Sequence, residues 1–375
     1  MKRILCSVSA LALIFALFAA CGGGNNAPSS TQPPAAAPTQ TVAPATPPPP
    51  PPEAEGWDFS NATKVNLQFA MFIPEADPMT GFTCKYLDTI KEYTEGTVDY
   101  TLFAGQTLCA APEQLDAVRS GLADVSFCNA ANHAGELPLT NILEYPGIPY
   151  ANNIASSYAI QEWHDTLKLD ELKDFRLLFA SGQGNGSFVT TVPLRTVDDF
   201  KGVQMRTSAA LVPILEAYGM IPTAMAIGEA YEAIRTGVVQ GATCQVPAGY
   251  SFRFHEVGKY CTLDPYFISS YVMIMNKDVW DTLTPDQQEA VQAATEVAFI
   301  EYIAPARQAE VPGVLVEFEA AGVEIFIFDD ENTAKMGELN APLQSKYASG
   351  VRGGNEALAL IRELAAKWNA IYPEQ

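Results

Sequence analysis

The chain is 375 residues long and 48% hydrophobic, enough for two domains of ordinary size with a real core. Acidic residues outnumber basic ones by 43 to 22, for a net charge of −21. A surface of that sign repels nucleic-acid phosphates and anionic lipid headgroups, so both are excluded as principal partners, and the charge itself names no ligand.

Residues 1–20 have the order of an export signal. Lys2 and Arg3 precede an apolar run from Ile4 to Leu17, shorter than the ~20 residues a bilayer-spanning helix needs. The run ends in "LFAAC" followed by three glycines, which resembles a bacterial lipoprotein signal, with Phe18 where leucine is usual. On that resemblance Cys21 is the lipid-attachment site and the mature N-terminus. Residues 21–56 then form a tether of Gly, Asn, Ala, Thr, Ser and Pro, with six consecutive prolines at 47–52. Such a composition builds no core, and its proline part is expected to be extended polyproline II. No later stretch is long and apolar enough to cross a membrane. The expected location is therefore extracytoplasmic, on the bacterial cell membrane through the lipid alone.

Five cysteines follow the tether: Cys84, Cys109, Cys128, Cys244 and Cys261. None forms a C-x-x-C pair and no histidine stands at metal-ligand spacing from them, so no metal site is expected. The number is odd, so at least one thiol stays unpaired in a monomer, and most are expected to behave as small buried hydrophobes.

From Lys64 strand and helix patterns alternate. "KVNLQFAMF" is predicted as a strand, "PMTGFTCKYLDTIKEYTEG" as a helix stopped by Gly96, and "VDYTLFAG" as a second strand. "APEQLDAVRSG" is a helix with Pro112 in its first turn and Gly121 after its end, and "LADVSFCN" is a third strand. A helix is predicted around 152–167 and a strand at "FRLLFASG". The grammar is clearest from 202 to 244. The strand "VQMR" leads to a helix stopped at Gly219, and the strand "MIPTAM" to the helix "GEAYEAIRTG", before the strand "VVQGATC". Strands separated by such helices imply βαβ units and mainly parallel sheets, with ligands beyond the carboxyl ends of the strands. Arg206 stands at one such end. From Pro285 to about Ala321 a long helical region is predicted, interrupted by Pro305 and Pro312, then a strand at "GVEIFIFD" and helix over 332–369.

Several chemistries are missing. "SGQGNG" lacks the G-x-G-x-x-G order of a dinucleotide site and is expected to be a flexible crossover loop. There is no Walker A sequence and no G-x-S-x-G elbow. "HEVGK" is not the zincin H-E-x-x-H, and His133, His164 and His255 are isolated. Basic residues do not cluster with aromatics, which again argues against nucleic acid. No cofactor is expected.

The stretches "TVDDFKGVQMRTSAALVPILEAYGMIPTAMAIGEAYEAIRTGVVQGATC" and "FHEVGKYCTLDPYFISSYVMIMNKDVWDTLTPDQQEAVQ" resemble the solute-binding receptors of TRAP transporters, of the dicarboxylate-binding type, and "FAGQTLCAAPEQLDAVRSGLADVSF" fits the same family. The resemblance covers most of 64–370. It implies an α/β fold of two lobes, like a type II periplasmic binding protein, with a long hinge-spanning helix. Residues 57–183 plus 270–312 would form lobe I, and 184–269 plus 313–375 lobe II. It implies a receptor rather than an enzyme, which closes on a small organic acid and delivers it to a cation-driven membrane permease.

In that family an arginine at the position of Arg206 pairs with the ligand carboxylate, and a guanidinium fork matches a carboxylate in two parallel hydrogen bonds. The competing reading of Arg206 is a structural ion pair with Asp198 or Asp199. Three positions depart from the family pattern: Phe188 where an arginine is frequent, Cys244 where asparagine is, and Ile227 where an aromatic is. These departures favour a monocarboxylate with an apolar or aromatic body over a sugar acid. Gln106, Asn129, Asn185, Gln245, Tyr250, Tyr266 and Phe267 are the remaining candidates for the ligand wall. The alternatives are a receptor serving a sensor kinase or an ABC importer, and a secreted α/β hydrolase.

Overall fold

The computed structural model describes residues 56–184, 186–305 and 310–373. The signal, Cys21 and nearly all of the tether lie outside the described residues. Eleven strands form two sheets among those residues. They are β1 (Val65–Met71), β2 (Val98–Phe103), β3 (Val125–Asn129), β4 (Phe175–Gln183), β5 (Gly186–Thr190), β6 (Gln204–Thr207), β7 (Ile221–Ala224), β8 (Gly241–Gln245), β9 (Tyr260–Asp264), β10 (Ser269–Asn276) and β11 (Glu324–Phe326). The first sheet has the order β2-β1-β3-β10-β4 and the second β11-β9-β5-β8-β6-β7.

Local chemistry explains most element boundaries. The helix Pro78–Tyr93 starts where the Asp77 carboxylate accepts a hydrogen bond from the Met79 amide, with Pro78 in the first turn. The helices Val212–Ala217 and Ile227–Arg235 are followed by Gly219 and Gly237, whose φ angles of 81° and 76° suit glycine.

The sheets are less parallel than the βαβ pattern suggests. β1 runs parallel to β2 and β3, and β6 parallel to β7 and β8. But β10 is antiparallel to both β3 and β4, and β5 is antiparallel to both β8 and β9. The reason is connectivity. β4 leads into β5, and β9 into β10, through links of two and four residues. Without a crossover helix, each receiving strand enters its new sheet in the reversed sense. The loop expected at "SGQGNG" is thus the end of β4, a short link and the start of β5.

Behind the sheets, the helix Pro285–Ala298 continues as a π turn, Phe299–Ile303, and helix resumes at Val311–Ala320 with Pro312 in its first turn. The last two helices do not both stay with the second sheet, as the expected range 313–375 would have it. Asp330–Gly350 reaches both sides: Asn340 accepts from the Tyr218 hydroxyl, and Gln344 donates to the Tyr145 carbonyl. Gly354–Ile371 packs on Asn153–Leu167, beside the first sheet. Trp163 Nε1 donates to the Ala357 carbonyl at 2.8 Å and Lys367 pairs with Glu162 at 2.7 Å. The buried indole of Trp163 supplies the apolar area that draws the last helix there. No helix among the described residues is long and apolar enough to cross a membrane.

Candidate functional site

β6 lies between β7 and β8, so Arg206 is flanked by Thr223 and Ala242 and its side chain emerges at the carboxyl edge of the second sheet. Only 2% of Arg206 is exposed. Its Nε and Nη2 donate to the Met225 carbonyl at 3.0 and 2.7 Å, and Nη1 reaches the Thr243 carbonyl at 3.4 Å. These are backbone partners, one just past the end of β7 and one on β8, so the fold itself fixes the fork. Among the described residues no carboxylate lies within ion-pair distance of it. The pair with Asp198 or Asp199 does not form, because Asp199 accepts from the Arg195 and Thr196 amides. Burial depresses the Arg206 pKa to about 10, and the charges of Cys244 and Glu229 offset only part of that cost.

Arg206 lines a cavity of about 30 Å³ between the two sheets. From the first sheet come Phe72 and Ile73, just after β1, and Asn129 and Asn132, at and after the end of β3. From the second come Ile227, Thr243, Cys244 and Gln245, with Phe267 from the link between β9 and β10. The floor is tied across the sheets: Gln245 Nε2 donates to the Tyr271 hydroxyl at 3.0 Å, and Tyr271 stacks on Phe127 with ring centres 4.8 Å apart. Asn129 caps the turn after β3 by accepting from the Ala131 amide. The wall is thus apolar over most of its area, with one cation and a few amides.

Of the expected wall residues, Arg206, Asn129, Ile227, Cys244, Gln245 and Phe267 share this cavity. Phe188 faces a neighbouring cavity, described below. Gln106 is not on the wall: its carboxamide sits against Gly228 at the start of the helix Ile227–Arg235, where a methyl group would collide with it. Tyr250 is 36% exposed and stacks on His255, with Phe318 close by. The Tyr266 hydroxyl is engaged by the Thr333 carbonyl at 3.1 Å. Asn185 lies outside the described residues. The sequence reading missed Phe72, Asn132, Thr243, Ser269 and Tyr271. The last two belong to β10, which periodicity does not reveal because all eight of its residues are buried. A lone tyrosine inside that apolar run was the available signal.

A larger groove of about 630 Å³ lies on the outer side of the first sheet, between the helices Asn153–Leu167 and Pro285–Ala298. It is away from the carboxyl ends of the parallel strands, and its Arg176 is already hydrogen-bonded to Gln292 and stacked on Trp280. Strand geometry and the preorganised fork make the smaller, inter-sheet cavity the candidate site.

The model of the family described as bacterial extracellular solute-binding protein, family 7, matches residues 69–350. This chain belongs to that family. The 2,3-diketo-L-gulonate-binding periplasmic protein of Escherichia coli is 26% identical over 81% of this solute-binding protein and 94% of its own length. The C4-dicarboxylate-binding periplasmic protein of Rhodobacter capsulatus is 24% identical over 82% and 92%. Among solved structures, a TRAP solute-binding protein from Rhodoferax ferrireducens with copurified benzoate superposes with a TM-score of 0.76, at 23% identity over 82% of this chain and all of that one. A marine metagenome TRAP protein in complex with 3-hydroxybenzoate also gives 0.76, at 20% identity, covering 82% and 99%. The resemblance seen in the sequence, the two-lobed fold and the binding rather than catalytic role of the family thus agree. The secreted-hydrolase alternative is not favoured, and among the described residues no histidine accompanies the serines on the cavity wall.

Proposed function

We propose that this protein is the extracytoplasmic receptor of a TRAP transporter and that it captures a small monocarboxylate with an apolar or aromatic body. One observation carries the reading: a buried guanidinium with no carboxylate partner among the described residues stands on the wall of a cavity between two sheets. An arriving carboxylate supplies the missing counter-charge and two charge-assisted hydrogen bonds. Phe72, Ile227 and Phe267 cover the rest of the molecule. The fork is already in place, so little ordering opposes binding.

Closure of the two lobes buries the acid, and the loaded receptor hands it to a membrane permease. Cys21 carries the lipid, and the proline-rich stretch lets the receptor reach that permease. The decisive experiment is thermal unfolding in the presence of a panel of carboxylates, joined to mass spectrometry of whatever copurifies. A monocarboxylate with an apolar or aromatic body should raise Tm more than a sugar acid does, and sugars without a carboxylate should do nothing. A Cys21→Ser variant should move from the membrane fraction to the soluble fraction. Its retention in membranes would remove the anchor from the proposal.

A further inference from the structure

A second cavity, of about 20 Å³, adjoins the arginine cavity and shares Leu211, Thr243 and Phe267 with it. Unlike the first, it is acidic. Glu144 and Asp264 both line it, and neither has a cationic partner among the described residues. Glu144 is 1% exposed; its Oε1 accepts from the Ser270 amide at 2.6 Å, while its Oε2 is buried with no partner. The Asp264 carboxylate accepts from the Tyr266 and Phe267 amides at 2.9 and 3.2 Å, which fixes the turn that presents the Phe267 ring. A buried carboxyl oxygen without a donor is costly, and natural interiors rarely leave one so. The volume suits a group the size of one water molecule. Burial raises both acids, Glu144 to about 8 and Asp264 to about 6, as expected where no cation offsets them.

We propose that this cavity is the distal subsite of the ligand site, and that it selects carboxylic acids bearing a hydroxyl or ammonium group at the end away from the carboxylate. Arg206 takes the anion and the distal group reaches past Phe267 to Glu144 Oε2, where an ammonium supplies the counter-charge that lets the buried acid release its proton to solvent and a hydroxyl hydrogen-bonds to the oxygen. The arrangement has positive charge at one end and acid at the other, with apolar wall between, and complements a hydroxy acid or a zwitterion rather than a plain hydrocarbon acid. This inference rests on the organic-acid reading of Arg206.

The test is isothermal titration of the purified receptor with two matched series: benzoate, 3-hydroxybenzoate and 3-(aminomethyl)benzoate, and pentanoate, 5-hydroxypentanoate and 5-aminopentanoate. In at least one series a donor-bearing acid should bind tenfold or more tightly than its plain parent, and the better donor tells a hydroxyl from an ammonium. Glu144→Gln keeps an oxygen for the Ser270 amide but places there an amide that can only donate and cannot ionise, and it should erase the advantage while plain acids still bind. Asp264→Asn serves as a second variant. If plain acids bind through Arg206 and the donor gains nothing, or if the gain survives in both variants, the subsite falls and the organic-acid reading stands. If no acid of either series binds, both fall together.

Discussion

Arg206→Met separates binding from folding. The buried charge is held with a pKa near 10 against an ordinary 12.5, which corresponds to a burden of about 3 kcal/mol at neutral pH. Methionine removes that burden, keeps much of the side-chain volume, and leaves the Met225 and Thr243 carbonyls without their guanidinium donors, at a cost of about 1–3 kcal/mol. The two terms nearly cancel, so the ligand-free variant should unfold at the wild-type temperature or slightly above it. Binding should suffer in full. Losing a bidentate, charge-assisted pair weakens the complex by about 3 kcal/mol, on the order of a hundredfold in Kd. At a ligand concentration a hundred times the wild-type Kd, the wild type gains about 2.7 kcal/mol from ligand, and the variant only about 0.4 kcal/mol. Differential scanning fluorimetry with and without the copurifying acid reads both quantities. An unliganded variant destabilised by several kcal/mol, or a full ligand-induced shift in the variant, would refute the assignment.

The remaining expectations concern stability and the wall. Glu144 has an ordinary value near 4.5 and a folded value of about 8, so the folded chain keeps a proton that the unfolded chain releases, and stability is lost as pH rises through that window. Glu144→Gln should therefore be more stable than wild type by several kcal/mol in urea titrations at pH 8.5, with the gap closing at pH 5; a gap independent of pH would contradict this. His164 carries the opposite sign. Buried against Trp163, it stays neutral down to about pH 3 against an ordinary 6.5, so its contribution is lost as pH falls through that range. His164→Phe should flatten the acid limb of the stability profile, and an unchanged limb would clear His164 of that role. Gly186 lies directly under Phe267, leaving no room for a methyl group. Gly186→Ala should push the ring off β5, costing about 1–3 kcal/mol of stability and weakening acid binding; a variant with wild-type affinity would show that Phe267 is not part of the wall.

How much of this was legible in the sequence depended on whether an element repeats or packs. The strands and helices from 202 to 245 were readable because glycine stops and helical periods punctuate them, and Arg206 stood out as a cation at a strand end. β5 was hidden because Gly186 looks like loop material, when its function is to let Phe267 approach the backbone. β10 was hidden because an all-buried strand has no period. Gln106 fits a wall amide by type and position. Yet its carboxamide meets Gly228 across the gap instead, a pairing between residues far apart in sequence that no local pattern encodes. The acidic cavity was equally invisible: Glu144 and Asp264 are 120 positions apart and meet only through the fold.

The placement of β10 also bears on how the molecule is made. The first sheet takes β4 only through β10, a strand that leaves the ribosome or the export channel about ninety residues after β4 has done so. Until then β3 and β4 have no common neighbour, and the amino-terminal half waits as an unfinished surface. A fragment ending before Ser269 should therefore behave as an aggregating or protease-sensitive chain rather than as a free-standing lobe, and supplying the segment 269–276 in trans should rescue it.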